Sequence, residues 1–275
     1  MADVDLLVVG AGPHALTLMT YLARYAPGVF HRTVVVDPNP WLGRWDTQFS
    51  ALEIPMLRSA CVHHPDPDPY ALIDFAKASD RSDELHGPLG RPGTALFSDF
   101  CTHLLAAHDL QKRLITACVQ RLEARLGTAH VTLSDGRRIE ASRVVVATNP
   151  VTPVLPAWMH AARSRHPGEP GLCHSGQFPL TQLDSADRLV VVGGGLTAAQ
   201  VVEGAARKGV SVTWINACRA SGSRSGRGTR LARRGVAVLP LGARTGPPCR
   251  HRSARTWGRE HPSARAGASD VSGTG

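Results

Sequence analysis

The sequence predicts an α/β fold made of two strand–turn–helix–strand units with an antiparallel meander between them. Three observations carry that prediction. The apolar run Leu6-Leu7-Val8-Val9 leads into Gly10-Ala11-Gly12-Pro13-His14-Ala15 and then into a helix-like segment. About 183 residues later the pattern returns, with Leu189-Val190-Val191-Val192 leading into Gly193-Gly194-Gly195-Leu196-Thr197-Ala198. Between them, Asp135-Gly136 separates two alternating apolar segments, the signature of a tight hairpin.

Residues 4–37 form the first unit. Gly10 permits a tight turn, and Gly12 lets the backbone approach a phosphate. Ala15 stands where a G-x-G-x-x-[GA] turn needs a small residue for close packing of helix on strand. The helix behind Pro13 and His14 offers free N–H groups to an anion. Thr33-Val34-Val35-Val36 is the second strand, and Asp37 closes it 27 residues after Gly10. A carboxylate there can accept hydrogen bonds from a ribose hydroxyl, so the unit reads as a Rossmann-like dinucleotide site.

Pro38-Asn39-Pro40 ends the unit. Trp41-Leu42-Gly43-Arg44-Trp45-Asp46 reads as a loop that either passes along the cofactor or packs its aromatics beneath itself. Residues 47–93 are expected to be irregular, because Pro55, Pro65, Pro67, Pro69, Pro88 and Pro92 interrupt them. Arg58, His63 and His64 are candidates for a substrate pocket in this stretch. Adjacent histidines cannot face one metal from a helix, so no metal site is expected. No residue pattern marks a catalytic acid, base or nucleophile.

Residues 94–107 read as a helix with an apolar face of Leu96, Phe97, Phe100, Leu104 and Leu105. Strand-like segments follow at 114–119, 130–133, 139–141 and 143–147. They predict an antiparallel meander that feeds a fully apolar, buried strand of the main sheet. That strand ends in Ala147-Thr148-Asn149 with Pro150 and Pro153 beyond it. Residues 154–186 are rich in Pro and Gly and read as a linker. After the second Gly-rich turn comes a helix over 199–208 and a strand over 210–215. Asn216 stands where Asp37 stood, and without an acid the site leans toward NADP. Arg219 is either a partner for a 2′-phosphate or a solvated arginine at the start of a basic segment.

The chain has 275 residues and a formal net charge of +9, which is unevenly spread. Residues 217–275 hold 12 Arg, no Lys, and only Glu260 and Asp270 as acids, a balance of +10. Residues 1–216 hold 19 basic and 20 acidic side chains, a balance of −1. Nucleic-acid binding is therefore not expected of the folded part, only of the basic segment. The six cysteines never fall at C-x-x-C spacing, so neither a zinc site nor a redox dithiol is signalled. No apolar run reaches membrane-spanning length and no signal-peptide pattern opens the chain, so a cytoplasmic protein with no membrane partner is expected.

With those residues in view, the sequence resembles the two-dinucleotide-binding-domain flavoproteins. It is most similar to the FAD- and NADPH-dependent monooxygenases that include the lysine and ornithine N-hydroxylases. The resemblance rests on four features. Gly10, Gly12, Pro13, His14 and Ala15 with Asp37 match the FAD turn, and Gly193, Gly195, Leu196, Thr197 and Ala198 match the NADPH turn. Ala147-Thr148-Asn149 with Pro153 resembles an A-T-G-x-x-x-P motif, with Asn in place of Gly. His174-x-x-x-Phe178-Pro179 resembles the end of the monooxygenase fingerprint, whose glycine is replaced by Pro170.

The resemblance implies FAD and NADPH as cofactors, with O₂ and a small-molecule substrate. The implied reaction transfers oxygen through a flavin hydroperoxide to an amine or other soft nucleophile. It also places Trp45 and Thr148 beside the flavin, with Ala147 at the same strand end, and Val119 against the adenine. Disulfide reductases of the same superfamily are disfavoured by the missing C-x-x-C.

The expected domains are an FAD-binding domain over 1–153, a linker over 154–186, a partial NAD(P)-binding domain over 187–216, and a disordered basic tail over 217–275. The expected fold class is thus α/β: a Rossmann-like FAD-binding domain with an antiparallel β-meander, and an incomplete second Rossmann-like NAD(P)-binding unit. The abrupt change at Ala217 reads as a truncated or frameshifted flavoprotein of a GC-rich gene. The alternative is a non-catalytic or inactive nucleotide-binding remnant whose basic tail binds an acidic partner.

Overall fold

The computed structural model describes residues 2–125, 127–149, 153–169 and 171–216. The expectations for residues 217–275, Arg219 among them, lie outside the described residues.

The chain opens with strand β1 (Ala2–Val9), helix α1 (Pro13–Tyr25), a one-turn helix α2 (Pro27–His31) and strand β2 (Thr33–Asp37). β1 and β2 pair in parallel, with Leu6 opposite Thr33 and Val9 opposite Val36. α1 buries Ala15, Leu16, Met19 and Thr20, the one-face spacing of an amphipathic helix. This stripe lies on Leu6, Val8 and Val35 in the largest core cluster.

Helix α3 (Gly43–Ala51) replaces the loop expected after Pro40. No proline falls between Pro40 and Pro55, so nothing blocks a helix of this length. Leu42 turns the chain into it with φ of +62°, and Trp45 stacks on Phe49 one turn later at 4.1 Å between centroids. A second helix, α4 (Ala71–Ala78), also lies inside the stretch expected to be irregular. It fits between Pro69 and Pro88 and buries Leu72 and Ala76. The prolines limit these helices to short lengths without forbidding them. A two-residue ladder, β3 (Leu85–His86) with β4 (Arg91–Pro92), leads into α5 (Thr94–Ala107), whose bounds match the sequence expectation.

The segment expected to be one strand over 114–119 divides in two. β5 (Leu114–Thr116) joins the parallel edge beside β2, and β6 (Val119–Arg125) begins the meander. β6 was illegible because it is an exposed edge strand, with Arg121, Glu123 and Arg125 paired along it. β7 (Thr128–Leu133) and β8 (Arg138–Val146) complete the meander. The two segments expected at 139–141 and 143–147 are one continuous strand. The sheet order is β5-β2-β1-β8-β7-β6, parallel through its first four strands and antiparallel beyond.

The end of β8 is less buried than its apolar sequence predicts. Val145 is 37% and Val146 65% exposed. β8 pairs with β1 as far as Val146, whereas its partners on β7 end at Ala141, so the upper half has one neighbour. On the same side of the sheet, Leu7 and Val36 pack with Val131, Leu133 and Ile139, so the meander covers that core.

The stretch 154–186 holds more than a linker, with helix α6 (Ala157–Arg165) and two short 3-10 turns. The second unit then runs β9 (Arg188–Val192), α7 (Leu196–Arg207) and β10 (Ser211–Ile215), with β9 and β10 parallel. Its core of Leu189, Val191, Val201, Val202 and Ala205 also takes in Leu180 and, from the end of α3, Leu52 and Ile54. Among the described residues no helix is long and apolar enough to cross a membrane.

His64, a candidate for a substrate pocket, organises its own loop. Its Nδ1 accepts from the Asp66 N–H at 3.2 Å, so its Nε2–H donates to the Pro69 carbonyl at 3.2 Å. The ring meets Phe100 edge-on, and the neighbouring Pro65 carbonyl accepts from the buried Thr20 hydroxyl. Burial pushes the His64 pKa below its usual 6.5, partly offset by the Pro69 carbonyl and by Asp66 and Asp68. A depressed histidine pKa stabilises the fold while the ring is neutral. That contribution is present above pH 6.5 and is lost as pH falls through 6.5 toward the folded-state value. The stability advantage of the wild type over His64→Gln should therefore shrink between pH 7.5 and 5.5, measured by urea unfolding at each pH. An advantage constant across that range would contradict the assignment.

Candidate functional site

The first Gly-rich turn is fixed by three strand ends. The Gly10 N–H donates to the Val36 carbonyl at 2.8 Å, and the Ala147 N–H donates to the Val9 carbonyl at 2.8 Å. Gly10 has φ of +107°, a region that L side chains rarely adopt. A Cβ on Gly10 would lie 2.6 Å from the Ala147 carbonyl oxygen and 3.0 Å from the Thr148 methyl. Ala147 and Thr148 thus form one wall of the turn.

Asp37 does more than the sequence indicates. Its Oδ2 accepts from the Ala11 N–H at 2.9 Å, and its Oδ1 accepts from the Asn39 N–H at 2.8 Å. The carboxylate ties the turn to the chain leaving β2. An ionised carboxylate has about four acceptor positions, so capacity remains for a ribose hydroxyl. On the other side of Ala11, its carbonyl accepts from the Leu42 N–H at 2.8 Å. No sequence signal marks Leu42, because the contact is made by backbone.

The turn opens onto free space. A Cβ on Gly12 would meet nothing within 4 Å, although φ of −87° would permit any residue there. Gly12 caps α1, Pro13 occupies its first turn, His14 is exposed and Ala15 is buried against the sheet. The first N–H groups of α1 have no partner within the helix, and its first turn carries no acid. An open cradle at a helix N-terminus is suited to a phosphate.

Trp45 lies on α3 rather than in a loop and is half-buried, stacked on Phe49 and tilted against Phe97 at 5.5 Å. The next residue, Asp46, carries a carboxyl that partial burial pushes above its usual range, partly offset by the Ser98 hydroxyl at 3.3 Å. Arg44, from the same turn of α3, donates to the Asn149 carbonyl at 3.3 Å, linking α3 to the end of β8. Val119 begins β6 and packs with Val36 and Ala117 in the core under the sheet end. Arg58 and His63 are exposed on the 47–70 stretch.

The second turn repeats the first in outline. The Gly193 N–H donates to the Ile215 carbonyl at 2.9 Å, as Gly10 does to Val36, and φ of Gly193 is +139°. Gly195 caps α7 as Gly12 caps α1, and a Cβ on it would also meet nothing within 4 Å. Leu196 and Thr197 open α7, and the Ala198 methyl would lie 3.8 Å from a Cβ on Gly193. Asn216 takes the place of Asp37, with its side chain against Gly194: a Cβ there would lie 2.9 Å from the Asn216 Cγ. Trp214 donates its indole N–H to the Gly193 carbonyl at 2.6 Å.

The motif His174-x-x-x-Phe178-Pro179 has a structural part. The His174 Nδ1 accepts from the Gly176 N–H at 3.1 Å, and Phe178 packs on the second core. Among the described residues no group of three His, Cys, Asp or Glu could hold a metal ion.

The profile of the pyridine nucleotide-disulphide oxidoreductase family matches residues 4–232. No curated protein sequence matches the chain. Among solved structures, the reduced form of the ornithine hydroxylase of Pseudomonas aeruginosa is 19% identical with a TM-score of 0.59, covering 78% of this chain and 54% of its own. The cadaverine monooxygenase of Erwinia amylovora, bound to FAD, is 22% identical with a TM-score of 0.57, covering 78% and 52%. The bacillithiol disulfide reductase of Staphylococcus aureus is 14% identical with a TM-score of 0.50, covering 78% and 58%. At these identities the likeness is one of fold. The chain spans little more than half the length of each of these neighbours.

The two glycines of the first turn should respond oppositely to an added methyl group. Gly10→Ala forces a Cβ onto the Ala147 carbonyl and a strained φ, and should cost about 2–4 kcal/mol in denaturant unfolding. Gly12→Ala meets no atom and should change stability by less than about 1 kcal/mol. Equal losses at both positions would contradict the geometry.

Proposed function

From the premise that this chain belongs to the pyridine nucleotide-disulphide oxidoreductase family, we propose that it is an FAD-dependent, NADPH-using oxidoreductase of the monooxygenase type. The observation that carries the proposal is the pair of matched cradles. Gly12 and Gly195 each cap a helix, and each faces open space where a Cβ would meet nothing within 4 Å. One helix N-terminus next to a strand end is common, whereas two built alike in one chain fit two dinucleotides.

In this reading Gly10, Gly12, Pro13, His14 and Ala15 receive the FAD pyrophosphate, and Asp37 holds the adenosine ribose. Val119 borders the adenine, and Ala147, Thr148 and Trp45 border the rest of the cofactor. Gly193, Gly195, Leu196, Thr197 and Ala198 receive the NADPH pyrophosphate. The flavin supplies redox and oxygen-transfer chemistry when bound. The chain's part is to orient the two nucleotides and to exclude water, with the Ser98 hydroxyl of α5 hydrogen-bonded to Asp46, the residue after Trp45 on α3. The missing C-x-x-C favours oxygen transfer, with O₂ and an amine or other soft nucleophile as substrates, over disulfide reduction. Domain bounds of 1–153 and 187–216 for the two sites, joined through 154–186, follow from the same reading.

Reconstitution tests it. The purified chain mixed with FAD and desalted should keep flavin absorption, and should oxidise NADPH faster than free FAD does. Gly12→Val should abolish flavin retention without unfolding the chain. Gly195→Val should keep the flavin and lose NADPH oxidation. A colourless protein after reconstitution would overturn the FAD reading, and binding of adenine nucleotide alone would favour a non-catalytic nucleotide-binding protein.

A further inference from the structure

We infer that Trp214 is a positioning residue for the second turn, fixing the backbone of Gly193–Gly194 in the orientation that receives a dinucleotide. The inference rests on the reading of that turn as the nicotinamide-nucleotide site.

Trp214 lies on β10 two residues before Asn216, and its ring packs in the core shared by α7, Leu180 and Leu189. An indole N–H can only donate, and when part-buried it takes whatever acceptor its packing permits. Here that acceptor is the Gly193 carbonyl, at 2.6 Å. The Gly193 N–H is already held by the Ile215 carbonyl at 2.9 Å, so Trp214 fixes the second polar group of that residue. Gly193 needs such restraint, because φ of +139° at a glycine is otherwise one of many accessible conformations.

The peptide between Gly193 and Gly194 is planar and trans, so its carbonyl and the following N–H point to opposite sides. Holding the carbonyl on the Trp214 side therefore fixes the Gly194 N–H on the other. Asn216 lies against Gly194, where a Cβ would come 2.9 Å from its Cγ. In the first turn the equivalent N–H, that of Ala11, donates to Asp37. The residue equivalent to Trp214 there is Val35, whose side chain has no donor, and the Leu42 N–H instead holds the next carbonyl along, that of Ala11. The second turn thus has a side-chain brace on the Gly193 carbonyl that Val35 cannot supply in the first. A turn held in its binding conformation loses less entropy when a ligand arrives, so the brace acts on affinity.

The test uses the full chain, with NADPH as the probe and calorimetry as the readout. Trp214→Phe keeps an aromatic ring in the core and removes only the donor. It should weaken NADPH binding about 3- to 10-fold, the loss expected for one neutral hydrogen bond, and leave FAD binding unchanged. In ¹⁵N-labelled wild type, the indole N–H resonance that disappears in Trp214→Phe should shift as NADPH saturates the protein. Equal NADPH affinity in wild type and Trp214→Phe overturns the inference and leaves the reading of the site standing. Failure of wild type to bind NADPH overturns both. A parallel loss of FAD and NADPH binding would mean a structural role only and also overturns it. If Trp214→Phe does not fold, the wild-type Trp214 indole N–H resonance, assigned by its through-space contact with Gly193, decides, and one unmoved by saturating NADPH overturns the inference.

Discussion

The contact between Gly10 and the Ala147 carbonyl is the constraint on which the first half of the molecule depends. β1, β2 and β8 end at the same level, and the chain must turn from β1 into α1 in the space between the other two. Any side chain at Gly10 would occupy the volume of the Ala147 backbone. Because the turn is this tight, α1 leaves it with its first N–H groups facing outward and Ala15 pressed on the sheet. The Asp37 carboxylate and the Leu42 N–H then both reach Ala11. Loosening Gly10 would disturb both contacts, since the N–H and the carbonyl that make them belong to Ala11, the next residue.

α3 carries that constraint to the second unit. It begins at Leu42, bonded to the first turn, and ends where Leu52 and Ile54 enter the second core. Between them Glu53 adopts a left-handed φ of +46°, its carboxylate 3.1 Å from the Lys208 ammonium and its carbonyl accepting from Arg207 at 3.3 Å. The magnitudes separate these contributions. Burying Leu52 and Ile54, 1% and 7% exposed, is worth about 1.5–3 kcal/mol each. The part-exposed ion pair with Lys208 is worth about 0–1 kcal/mol. The apolar pair holds the joint, and the charged contacts tie the residue after α3 to the C-terminal end of α7.

How much of this is legible in the sequence follows from how local each cause is. The two turns can be read because glycine spacing and flanking apolar strands are contiguous, and the structure pairs those strands as expected. α5 can be read because its apolar face is continuous through 14 residues. α3 and α4 are hidden by surrounding prolines, and by starts without a side-chain cap. β6 is hidden because an edge strand has no apolar face to report. In the candidate site, Asp37 is legible as an acid at a strand end, but its bond to Ala11 is not, since it joins residues 26 apart. Leu42 and Trp214 act through a backbone N–H and an indole on distant carbonyls, and no residue pattern announces either. The loop role of His64 is hidden likewise: a histidine in a Pro-rich loop looks available, while both its ring nitrogens are engaged by that loop.

The two turns share a backbone plan and differ in charge. At the first, the Asp37 carboxyl group is held by Ala11, the residue before Gly12 of the open cradle, and by Asn39. At the second, Asn216 offers an amide of similar shape and no charge, packed against Gly194. Two negative charges about 4 Å apart near a protein surface repel by roughly 4 kcal/mol, while an amide can donate to the same group. A phosphate brought beside Asp37 would therefore meet repulsion that one beside Asn216 would not. The repeated geometry gives two alike open helix starts, and the single exchange of acid for amide at the end of the second strand gives them different charge.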